Sequence, residues 1–205
     1  MTQNDRSETP VIEETLLQQI YQGESDAFDQ LYTRHAQTIY RLGWSMLRET
    51  QAAEDVVQET FMRAYRARKR FDPAKASFGT WLYQIALNYC RSYLRRKQLP
   101  TLPWFSHSYE GVAQPTLAPG PEGRLLRDEY QRALWEAVES LSSRLKEVII
   151  LHYYLDLPAV EIAVILNCPE GTIYSRLHNA RKQLAKLLAH KGFASAELSE
   201  VHHVS

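Results

Sequence analysis

Cysteine is nearly absent: the 205 residues include two, Cys90 and Cys168, far apart and without the short paired spacings that a zinc site or redox motif needs. A disulfide scaffold is excluded, and a reducing compartment fits. Long apolar runs are missing too. No stretch approaches the ~18 uninterrupted apolar residues of a membrane span, and the opening MTQNDRSETPVIEE has neither the basic start nor the apolar centre of a signal peptide. A soluble, cytoplasmic protein with no direct membrane insertion is expected. Net charge is also absent, with 24 Lys and Arg against 24 Asp and Glu. Yet 44% of the residues are hydrophobic, which excludes global disorder, and the length allows one large domain or two small ones.

The zero balance conceals segregation. Residues 1–30 hold one Arg against seven acids, whereas residues 61–97 hold ten Lys or Arg against Asp72 alone. Residues 172–191 hold five basic residues and no acid. Concentrated positive charge favours a polyanion whatever the whole-chain total, although two solvated helix faces would show the same counts.

Apolar residues recur at helical spacing, and no run alternates strictly as a half-buried strand would. The pattern predicts an all-α chain of two small helical domains. A short helix carries Leu16, Leu17, Ile20 and Tyr21, and a longer one opens at Asp26 with Phe28, Leu31, Tyr32, His35, Ile39, Leu42 and Met46. A third spans about Gln51 to Arg70 with Val56, Val57, Phe61 and Ala64 on its core face. FDPAKAS interrupts, and Ser77 or Thr80 then caps a fourth helix through Trp81, Leu82, Ile85, Ala86, Tyr89 and Leu94.

Domains are expected at 1–98 and 123–190, with a Pro-rich linker at 99–122 and a tail at 191–205 that is expected to be disordered. The linker contains Pro100, Pro103, Pro115, Pro119 and Pro121, and an aromatic cluster of Trp104, Phe105 and Tyr109. After it, one helix runs from Arg124 to Val138, and LSSRLKEVIILHYYL forms the next, with Leu145, Val148, Ile149 and Tyr153 as core positions. Pro158 starts a helix whose buried stripe is Val160, Ile162, Ala163 and Leu166; Asn167, Cys168 and Pro169 break it, and another begins near Glu170. This is a helix-turn-helix. Ile173, Leu177, Ala180 and Leu184 line one side of its second helix, while Gly171, Thr172, Tyr174, Ser175, His178, Asn179 and Lys182 offer polar groups to phosphates and base edges. Thr172 and the amides at the helix start suit a phosphate.

EIAVILNCPEGTIYSRLHNARKQL resembles the helix-turn-helix by which bacterial extracytoplasmic-function (ECF) sigma factors read the promoter −35 element. AEDVVQETFMRAYRA resembles the helix by which these factors grip core RNA polymerase, and FGTWLYQIALNYCRSYLRRK resembles their −10-recognising helix. The resemblance implies a promoter-specific initiation factor with no catalysis, cofactor or small-molecule substrate of its own. Its implied partners are core polymerase, promoter DNA and an anti-sigma factor. Carried onto this chain, it assigns Asp55, Gln58, Glu59 and Phe61 to polymerase. It assigns Phe71, Phe78, Trp81, Asn88, Arg91, Arg95 and Arg96 to melted −10 DNA. The −35 set is Gly171, Thr172, Tyr174, Ser175, Arg176, His178, Asn179 and Arg181.

Bland readings stand beside these. Trp81 and Tyr89 suit a core as well as a base stack. Asp55, Gln58 and Glu59 share one face that solvent alone would explain, and Glu59 is spaced to pair with Arg63. Glu54, Asp55 and Glu59 invite a metal-dependent nuclease, but no His or second acidic cluster supports one. A dimeric helix-turn-helix repressor or activator acting without polymerase, or a pure interaction module, would share the second domain. Position 174 commonly carries Lys or Arg in the family and position 179 Arg. Here Tyr174 and Asn179 replace them, so fewer phosphate contacts and a different base set are expected.

Overall fold

The protein is described by a computed structural model that covers Leu16, residues 25–98 and residues 121–193. Leu17, Ile20 and Tyr21 of the expected first helix, the linker aromatics Trp104, Phe105 and Tyr109, and the tail histidines His202 and His203 lie outside the described residues. Among the described residues the fold is all-α, with seven α-helices in two compact units and no strand.

In the first unit α1 (Ser25–Leu47), α2 (Thr50–Ala67) and α3 (Phe78–Gln98) pack pairwise. Leu31, Ile39, Leu42, Val56, Leu82 and Leu87 fill the centre, each almost wholly removed from water. The α1–α2 crossing depends on Gly43: a Cβ there would stand 3.0 Å from Val56 Cβ and 3.2 Å from Ala53 Cα. Arg48 ends α1 in the left-handed region (φ 57°) with its N–H donating to Trp44 O at 2.8 Å, the usual single-bond helix stop made here without glycine. A 3-10 turn at Arg68–Arg70 follows α2. The start of α3 is capped by Ser77, whose Oγ accepts the Thr80 N–H at 3.1 Å.

The second unit contains α4 (Pro121–Glu139), α5 (Ser143–Ile149), α6 (Ala159–Leu166) and α7 (Glu170–His190). Val148, Leu151, Ile162, Ile173, Ala180 and Leu188 are its buried centre. The expected uninterrupted helix from Ser142 is instead α5 running into a π-helical turn at Ile150–Tyr154. Leu155 N–H donates to Ile150 O and Leu157 N–H to Leu151 O, both at 3.1 Å, and Asp156 reverses the chain at φ 53°. The wider turn changes the angular phase of the helix, so Tyr153, expected in the core, is exposed. Val160 is a second correction. At 56% exposure it faces out, because the buried stripe of α6 is Ala159, Ile162 and Ile165.

The α6–α7 turn is closed by backbone alone. Asn167 sits at φ 49°, Cys168 N–H donates to Ala163 O at 3.0 Å and Asn167 N–H to Val164 O at 3.2 Å. That is a Schellman stop with Asn in the position glycine usually takes. The Glu136–Lys191 ion pair joins α4 to the end of α7, and Lys146, itself buried, reaches Glu139 at 2.8 Å.

Candidate nucleic-acid and partner interfaces

On α2 the four residues assigned to a partner divide between two sides. Gln58 and Phe61 line a groove between α1 and α2, whereas Asp55 and Glu59 lie toward Tyr89 of α3. Burial, followed by the Asp55 and Glu59 carboxylates, holds the Tyr89 phenol above its ordinary pKa. Glu59 accepts from Arg63 Nε at 2.8 Å, so the helix-stabilising pair foreseen as the bland reading does form. Phe61 is only 4% exposed; its ring packs on Tyr32 and Phe28, with centroids 4.7 Å and 6.0 Å away. Among the described residues, no group of three or more His, Cys, Asp or Glu side chains is placed to hold a metal ion.

The groove, of about 950 Å³, is the feature sequence reasoning missed. Phe28, Tyr32, Tyr40, Met62 and Tyr65 line it, with Glu54 and Arg66 also at its walls. Tyr32, Met62 and Tyr65 are exposed despite their size. The available signal was apolar residues one position outside the core stripe: Met62 and Tyr65 beside Phe61 and Ala64.

The loop before α3 is held by its own side chains. Asp72 Oδ1 accepts the Ala74 N–H at 3.1 Å, and Lys75 Nζ lies 3.0 Å from Asp72 Oδ2. These contacts hold the Asp72 carboxyl below its ordinary pKa. Phe71, Phe78 and Trp81 gather into one cluster with centroids 5.1 to 5.7 Å apart, and His35 flanks Phe78 at 5.8 Å. Phe71 and Phe78 are buried, while Trp81 keeps part of its surface in water. Two turns along the same helix face stands Asn88, exposed, about 10 Å away at helical rise. Asn88 Oδ1 accepts from Arg91 Nη1 at 3.3 Å, and Ser92 Oγ accepts from Arg95 Nη2 at 3.1 Å. Arg95 and Arg96 are exposed, with the Arg96 guanidinium 6.0 Å from the Tyr89 ring centre. Lys97, by contrast, is tied to Glu49 at 3.3 Å, and the same carboxylate oxygen accepts from Tyr93 Oη at 3.1 Å.

On α7 the residues Gly171, Tyr174, Ser175, His178, Asn179 and Lys182 are all exposed and follow three- and four-residue steps, one continuous polar face. Ile173, Leu177, Ala180, Leu184 and Leu188 are buried opposite. Three assigned residues are oriented differently from the plain sequence reading. The Thr172 N–H is already committed to Pro169 O at 2.9 Å, so the first-turn amides beside it are those of Glu170 and Gly171. Arg176 is half-buried, its Nη1 3.8 Å from Cys168 Sγ. Arg181 Nε reaches back to Leu177 O at 3.4 Å.

Residues 31–99 match the Sigma-70 region 2 family and residues 131–184 match Sigma-70, region 4. The chain is 30% identical over 181 residues to the RNA polymerase sigma-H factor of Pseudomonas aeruginosa, a match covering 86% of this chain and 93% of that protein. Over 177 residues it is 33% identical to the ECF RNA polymerase sigma factor SigW of Bacillus subtilis, covering 84% and 94%. The solved structure of CnrH in complex with the cytosolic domain of CnrY is similar at TM-score 0.65 and 26% identity, covering 87% of this chain and 98% of CnrH. In fold it is also similar to the sigma factor RpoE, in complex with the anti-sigma factor NepR, from Bartonella quintana, at TM-score 0.60 and 23% identity over 79% of this chain and 96% of that one. With both sigma regions present in order and relatives matched along most of its length, the chain belongs to the ECF family of RNA polymerase sigma factors, which bind core polymerase and direct promoter-specific initiation.

Proposed function

We propose that the two units divide the work of initiation. Residues 1–98 seat on core polymerase and hold melted −10 DNA, residues 99–122 act as a tether, and residues 123–190 read the −35 duplex, with 191–205 as a tail. The α1–α2 groove receives an apolar segment of polymerase, with Gln58 at its edge, Phe61 as its floor, and Asp55 and Glu59 as a charged margin beside it. The observation that carries this part is the exposure of Tyr32, Met62 and Tyr65 around one concave surface, since large apolar side chains grouped in water mark a partner site.

For the −10 strand, Trp81 offers the accessible ring of the aromatic cluster to an unstacked base, with Phe71 and Phe78 supporting it from below. Asn88 supplies both donor and acceptor to a base edge, and Arg91, Arg95 and Arg96 hold phosphates. The polar face of α7 enters the −35 major groove. Arg181 stands beside it. Arg176 braces the turn through Cys168 and meets the backbone from the flank. The protein acts by binding in the cytoplasm and catalyses nothing itself, and an anti-sigma protein is its regulator, as CnrH and RpoE are each seen bound to another chain.

The test is transcription from a selected promoter by core polymerase supplemented with this chain. Met62→Asp is expected to abolish core binding while leaving the helical content unchanged, and Trp81→Ala to reduce open-complex formation without weakening core binding. Wild-type core affinity in Met62→Asp would remove the groove from the proposal.

A further inference from the structure

Glu170 is the first residue of α7 and the only acid among positions 170–191. Tyr174, one turn later and 57% exposed, donates its Oη–H to Glu170 Oε1 at 2.9 Å. That bond and the nearby Glu170 charge raise the phenol's pKa. A hydroxyl does not cancel the charge as a Lys or Arg would. The first turn of α7 therefore carries an anion on the face that, on the reading above, meets a polyanion.

Phosphates repel such a group, and the N-terminal residues of a recognition helix are the ones that contact base edges. A carboxylate gains there only from a base-edge donor. In the major groove guanine shows acceptors alone and thymine an acceptor and a methyl. Adenine has an amine, but N7 stands beside it as a second acceptor that repels a carboxylate. Cytosine shows the N4 amine without that neighbour. We infer that Glu170 is a specificity-determining residue that accepts from cytosine N4 in the −35 element, with Tyr174 as the positioning residue that fixes its carboxylate by holding Oε1 and leaving Oε2 to the base. The inference rests on α7 lying in the −35 groove. It also explains how a tyrosine serves where a cation is usual: its donor turns inward to the carboxylate instead of outward to a phosphate.

The competing explanation is that Glu170 only favours the positive end of the α7 dipole. The two separate in selection of −35 sequences from a randomised duplex by holoenzyme reconstituted from core polymerase and the full chain. Wild type is expected to prefer cytosine at one position by roughly tenfold. Glu170→Gln, which keeps the shape, should move that preference toward adenine, because an amide pairs with N6 and N7 together. Tyr174→Phe should weaken the cytosine preference at that position and leave the other positions alone. Should Glu170→Gln and Glu170→Ala select the same bases as wild type, the inference is overturned and the dipole account stands. Ser175→Ala and Asn179→Ala serve as controls on the underlying reading. If they alter selection and the residue 170 variants do not, only this inference fails; if none alters it, the placement of α7 in the groove fails as well.

Discussion

Gly171 has no packing reason to be glycine: a Cβ there would meet nothing within 4 Å, and its φ lies outside the left-handed region. On the proposed reading, what glycine supplies is access, a bare first-turn backbone that the DNA can approach closely. Gly171→Ala is therefore expected to keep or raise thermal stability, by about 0.5–1 kcal/mol, while weakening −35-dependent transcription. Melting curves and a run-off assay on the same preparation check it, and full promoter activity would refute the role. Arg176 illustrates what residue type alone leaves open. Its charge was legible and its direction was not, because a guanidinium has no sequence-encoded aim until Cys168, eight positions earlier, folds back beneath it.

At the scale of elements, the helices of both units were legible because their apolar residues keep helical period, and the breaks at Pro73 and Pro169 carry their own chemistry. The π-turn at Ile150–Tyr154 was not legible: one extra residue in a turn has no compositional mark, and it moved Tyr153 out of its expected place. The groove was missed for a related reason, since periodicity locates a core and says little about what borders it. Gly43 gives the α1–α2 crossing a direct test. With Val56 Cβ at 3.0 Å from the added carbon, Gly43→Ala should destabilise the first unit by about 1–3 kcal/mol, read as a lower urea midpoint. An unchanged midpoint would mean the crossing opens at no cost.

The brace between α2 and α3 has a pH signature. Burial, then Glu49, pushes the Tyr93 phenol up to about 12 from an ordinary 10.0. A pKa raised by folding means that the protonated hydroxyl stabilises the fold. That contribution is complete below pH 10 and is lost as pH climbs through about 12. Tyr93→Phe should accordingly lose less stability than wild type across that interval, measured by melting at fixed salt. Parallel curves for the two proteins would show that Tyr93 ionises alike in both states.

For the whole molecule, the two surfaces proposed to meet DNA belong to separate units. Holding both on one polymerase makes the second contact intramolecular. Free chain should bind a −35 duplex at least about 100-fold more weakly than holoenzyme binds the complete promoter, as read by titration at matched ionic strength. Equal affinities would argue for a factor that works without polymerase. The division into sigma regions was legible from motif order, but the directions of individual arginine side chains needed coordinates.

Glu49 lies in the α1–α2 corner, as the N-cap of α2, and grips α3 near its far end, through Tyr93 and Lys97. That strut joins the beginning of α2 to the end of α3. On the proposed assignment, the surface that seats on the enzyme and the arginines that hold the opened strands are thereby fastened to one another through a single carboxylate.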